Sequence, residues 1–67
     1  MASGTAIRAT VTAAQDGYAV TVVLEKGGQL TTLAEKTVDS RVEAEALTRA
    51  FAAHHEVPRD KVEVLYR

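Results

Sequence analysis

The stretch Arg8-Ala9-Thr10-Val11-Thr12-Ala13-Ala14-Gln15-Asp16-Gly17-Tyr18-Ala19-Val20-Thr21-Val22-Val23-Leu24-Glu25 decides the fold of this chain. It consists of two alternating runs folded about Asp16-Gly17. An Asp-Gly pair is a strong hairpin signal because both central residues of a type I′ turn need φ > 0. A two-residue loop there makes Val11 face Val22, Ala13 face Val20 and Ala9 face Leu24 on one side. On the other side Thr12 faces Thr21, Thr10 faces Val23, and Arg8 meets Glu25 as an opposite-charge pair. One face is apolar and the other polar, so the register is self-consistent. It specifies architecture and carries no catalytic chemistry.

Working outward, the first strand covers Ala6–Ala14 and the second Tyr18–Glu25. Lys26-Gly27-Gly28 turns the chain into a third strand, Gln29–Val38. A three-residue loop pairs Leu24 with Leu30 and Val20 with Ala34, burying Leu30, Ala34 and Val38 together. The competing two-residue Gly-Gly loop puts Leu33 inward and Leu30 outward. The first arrangement is preferred because of that shared burial.

Ser40 opens the single helix, and Ser40 with Glu43 matches a capping box. At about 100° per residue, Val42, Ala44, Ala46, Leu47, Ala50, Phe51, Ala53 and His54 share one arc. Arg41, Glu45, Thr48, Arg49, His55 and Glu56 fill the other, with Glu45 and Arg49 spaced for an ion pair. Leu47 and Phe51 supply the bulk of the inner face. Pro58 ends the helix, since the residue before a proline is pushed out of helical geometry. Lys61–Arg67 reads as a fourth strand with Val62, Val64 and Tyr66 on one side.

The expected fold class is α+β, in the order β-β-β-α-β. An antiparallel three-stranded meander gains a fourth strand, parallel to the first, in sheet order 4-1-2-3. One helix packs on one face, through a right-handed crossover. The predicted core is Ile7, Val11, Val20, Val22, Leu24, Leu30, Leu47, Phe51, Val62 and Val64.

The 67 residues suit one small domain, 6–67, after a flexible lead-in at 1–5. Apolar residues make up 46% of the chain, which argues against disorder, although 12 are alanines and thin the core. There is no cysteine, so disulfides and thiolate metal sites are excluded. A cytoplasmic setting is the default expectation. Residues 1–5 lack the charged and apolar regions of a signal peptide, and no apolar run of about 18 residues exists to span a membrane.

Catalytic and metal chemistry find little support in the residues. His54 and His55 are adjacent, point about 100° apart on a helix, and lack a third histidine or a cysteine. His54 is expected to cap the core and His55 to be solvated. Ser40 is engaged as a helix cap, the threonines alternate along strands, and Glu35, Asp39 and Glu43 suit the positive helix end. Gly27-Gly28 joins two strands and is no phosphate loop. No cofactor, no metal, no small-molecule pocket and no enzymatic activity are expected.

The outer sheet face is the feature with functional potential. A single helix covers one side, so Thr10, Thr12, Thr21 and Thr31 stand on the other with Val23, Leu33 and Leu65. A flat surface of this kind suits protein docking. The expected partner is another protein or a second copy of the chain. It would meet Arg8, Thr10, Thr12, Thr21, Val23, Glu25, Leu33 and Leu65, or add a strand to the edge of the third strand.

In element order, Ile7 to Val57 resembles the arm-type DNA-binding domains of tyrosine integrases, which lay a three-stranded sheet into the major groove. That resemblance implies DNA binding as the alternative function. The net charge of −1 and the absence of asparagine count against it, as do basic candidates limited to Arg8 and Arg67. Tyr18 and Tyr66 fall on the inner register, away from a base-stacking surface.

Overall fold

A computed structural model describes residues 4–67; the lead-in read at 1–5 falls largely outside the described residues. Strands β1 (Ala6–Ala14), β2 (Gly17–Lys26) and β3 (Gln29–Val38) form the meander. Helix α1 (Arg41–His54), a short 3-10 turn (Arg59–Lys61) and β4 (Val62–Tyr66) follow. The four strands make one mixed sheet in the order β3-β2-β1-β4, with β4 parallel to β1, as the sequence predicts.

The first hairpin keeps its predicted faces but shifts its register by two residues. Val11 pairs with Val20, Ala9 with Val22, Ile7 with Leu24, Thr10 with Thr21 and Arg8 with Val23. The turn residues are Gln15 and Asp16, neither of which takes positive φ, while Gly17 begins β2 at φ 150°. A slip of two preserves the alternation, so hydrophobic patterning cannot choose between the two registers. Long-range packing does choose. The Val38 carbonyl crosses so close to Gly17 that a Cβ there would run into it. Ile7 also joins Leu24 on one side and Val62 on the other in a single apolar row.

The second hairpin uses the two-residue Gly27-Gly28 loop, not the three-residue loop expected. Gly27 and Gly28 both take positive φ, 60° and 84°, which is the type I′ signature. Lys26 therefore pairs with Gln29 and Glu25 with Leu30. Leu30 is 67% exposed, so it leaves the predicted core. A bulge then shifts the register, with Val23 opposite Thr32 and Val22 opposite Ala34. Leu33 is the extra residue and packs against the core, not on the outer face where it was expected. The bulge resolves a conflict of alternation: it returns Ala34 to the apolar row beside Val22.

Helix α1 starts as predicted, with the Ser40 Oγ accepting the Glu43 N–H at 3.2 Å. Its buried line is Ala44, Thr48 and Ala52, spaced four residues apart, with Leu47 and Phe51 half-buried beside it. The helix is thus turned away from the apolar arc read in the sequence. Val42 is 76% exposed, His54 is exposed and His55 is half-buried, which reverses the expected roles of the histidines. Small residues along the line of closest approach let the backbone lie near the sheet, and larger ones flank it. Thr48 can be buried because its Oγ1 donates to the Ala44 carbonyl at 2.9 Å, leaving no orphaned hydroxyl.

The helix ends before Pro58 acts. The Val57 N–H donates to the Ala52 carbonyl at 2.8 Å and the Glu56 N–H to the Ala53 carbonyl at 3.2 Å. This is a Schellman motif with Glu56 at φ 57° where glycine is usual, and Val57 buried behind it. A non-glycine residue in this region is strained, so Glu56→Gly is expected to stabilise the domain by about 1 kcal/mol. Urea unfolding checks this; an unchanged or lowered midpoint would show that Glu56 is relaxed there.

The fully buried apolar core is Ile7, Ala9, Val11, Val20, Val22, Ala44, Ala52 and Val57. Tyr18, Leu24, Leu33, Val38, Leu47, Phe51, Val62 and Val64 pack around it while keeping part of their surface in solvent.

Candidate interaction surfaces

With α1 on one face, the pairing registers define the rows of the other. Leu30, Glu25 and Ala6 form one row, and Thr32, Val23, Arg8 and Glu63 the next. Glu35, Thr21, Thr10 and Leu65 follow, then Thr37, Ala19 and Thr12. Of the predicted site, Arg8, Thr10, Thr12, Thr21, Val23, Glu25 and Leu65 share this face. Leu33 does not. Thr31 also departs, lying opposite Leu24 on the helix side. Leu30 takes the apolar place vacated by Leu33, and Leu65 is 38% exposed. The Gly27-Gly28 pair was the sequence signal for Leu30, since type I′ geometry at both glycines settles which side it takes.

Arg8 does not pair with Glu25. The two-residue slip sets it opposite Val23, and its Nε instead donates to Glu63 Oε1 of β4 at 3.1 Å. Both side chains are more than half exposed, so solvent screening keeps the energy of this pair small. Glu25 and Glu63 line the same shallow depression as Arg8, so Arg8 stands among carboxylates.

The helix side holds a second surface. Between α1 and β4 lies an open groove of about 580 Å³ whose floor includes Ala52, Val57, Val62 and Val64. Glu45, Arg49 and Arg59 border it. At one end the Tyr66 hydroxyl donates to Glu45 Oε2, and Arg49 also reaches Glu45, at 3.4 Å. The hydrogen bond to Glu45 raises the Tyr66 pKa above its ordinary value, with burial and the carboxylate charge adding to the effect. The Arg41 guanidinium lies over both tyrosine rings, 5.0 Å from Tyr66 and 5.9 Å from Tyr18. Both tyrosines are thus on the helix side, as their register predicts.

The histidine rings meet edge to face, 5.0 Å apart, at the end of α1. Among the described residues no group of three or more His, Cys, Asp or Glu side chains converges as a metal site would require. No helix among them is long and apolar enough to cross a membrane. Comparison with protein-family models, curated proteins and solved structures finds no match.

Proposed function

We propose that this domain is a small non-enzymatic association module that binds another protein, or itself, through its sheet. The observation that carries this reading is the outer face, which the single helix leaves uncovered. Val23 is central, Leu30 and Leu65 stand at opposite strands, and threonines fill the remaining positions. Small stiff threonines and a central valine make a flat surface that can be desolvated at modest cost, while Arg8, Glu25, Glu35 and Glu63 supply a charged surround. This balance of charge favours a protein partner over a phosphate backbone. Such a module would act as an accessory or inhibitory component of a larger assembly, in a cytoplasmic setting consistent with a cysteine-free chain.

Val23→Lys tests the face. Val23 points away from the helix, so the substitution is expected to keep the fold and to reduce partner binding at least tenfold, roughly 1.4 kcal/mol or more. Immobilised wild-type and Val23→Lys chains exposed to host extract provide the measurement. A protein retained equally by both would remove the outer face as the docking surface. Retention of random duplex DNA at low salt, released steeply as salt rises, would instead support the nucleic-acid alternative.

A further inference from the structure

Among the described residues the sheet has two open edges, and they differ in protection. Edge strand β3 carries a bulge at Leu33 and sets Lys36 opposite Val20 on the helix side; both features discourage strand addition. Edge strand β4 has neither a bulge nor a proline, and half-buried Val62 and Val64 lie along it beside the α1–β4 groove. Its free main-chain groups can be identified. The Arg67 N–H donates to the Val11 carbonyl of β1 at 2.8 Å. Main-chain groups alternate in direction along a strand, so those of Val62, Val64 and Tyr66 face the open side.

That pattern is self-complementary. We propose that β4 is a dimer seam, at which two copies pair antiparallel about a two-fold axis through Val64. Val64 then faces Val64 of the second copy, and Val62 faces Tyr66 on either side of the axis. Every one of these residues directs its free N–H and C=O toward the partner strand, as hydrogen-bonded antiparallel pairs require. The groove's charges obey the same symmetry. Its Tyr66 end holds Glu45, whereas its Val62 end holds Arg59, the first residue of the 3-10 turn that leads into β4. The two-fold axis sets the basic end of one copy beside the acidic end of the other, while Arg49, which also lines the groove, keeps its Glu45 contact. Two four-stranded sheets become one of eight strands with no bare β4 edge. The inference rests on the reading of this domain as an association module and names its partner at this edge: a second copy of the chain.

Sedimentation equilibrium from about 1 μM to about 1 mM is the test. The mass is expected to rise from 7.2 kDa toward twice that value. A synthetic chain with N-methylated Val64 keeps every side chain but loses the main-chain donor at the axis. Its dissociation constant is expected to rise at least about tenfold, with the amide spectrum of β1 and β2 unchanged. Arg59→Glu, at an exposed position, is expected to weaken the dimer about fivefold, and Arg59→Lys to leave it intact. A chain that stays at 7.2 kDa throughout overturns the proposal, as does a dimer indifferent to N-methylation. Should Val23→Lys dissolve the dimer while N-methylation does not, the seam is the outer face. The edge inference then fails and the association reading survives. A monomer that still captures a partner through Val23 separates the two in the same way.

Discussion

Gly17→Ala is expected to destabilise the domain by about 3 kcal/mol, enough to leave a chain of this size substantially unfolded. Gly17 combines φ 150°, which an L-residue rarely adopts, with a Val38 carbonyl where a Cβ would sit. The obstacle is backbone, so no side-chain rotation relieves it, and β2 and β3 must separate at that end. Gly27 and Gly28 provide the control. They too have positive φ, but open space surrounds them, so alanine at either should cost only about 1 kcal/mol. Thermal unfolding of the three variants checks the ranking. Equal costs at all three positions would mean that the Val38 contact is absent.

Thr48→Lys is the second large effect, and here apolar patterning and structure predict opposite outcomes. Patterning puts Thr48 in the solvated arc and Val42 in the apolar one. In the structure Thr48 is fully buried and Val42 is 76% exposed. Lysine at 48 must either bury its ammonium or push α1 off the sheet, at a cost of about 3 kcal/mol or more. Val42→Lys should stay within about 0.5 kcal/mol of wild type. Urea titrations followed by circular dichroism decide the matter, and the reverse ranking would turn the helix back to the arc read from the sequence. Phe51→Ala would approach the usual ~3–5 kcal/mol for a core phenylalanine only if the ring were fully enclosed. Phe51 is half-buried, so a smaller loss is expected.

Most of the outer face was legible in the sequence for a simple reason. Side chains alternate with a period of two, so a register error of two residues leaves every residue of β1 and β2 on its proper side. Arg8, Thr10, Thr12, Thr21, Val23 and Glu25 are therefore assigned correctly even though their cross-strand partners are not. Leu33 escapes that protection because the Gly27-Gly28 loop has two residues where three are expected, an odd difference that inverts the side of Leu30 to Leu33 until the bulge restores it at Ala34. The α1–β4 groove was not legible at all. It depends on how far the helix stands from one strand, which no local pattern encodes.

The sequence by itself determines the order of elements, the position of the helix start and the faces of the first hairpin. Each follows from short-range chemistry: Ser40 caps its own helix, glycines punctuate turns, and alternation sorts residues. Tertiary structure alone decided the register of the first hairpin, the bulge in β3, the rotation of α1, the left-handed Glu56 and the partner of Arg8. Those choices are nearly degenerate locally. They are settled where distant segments must occupy the same space, as when Val38 crosses Gly17, Thr48 enters the core and β4 brings Glu63 beside Arg8.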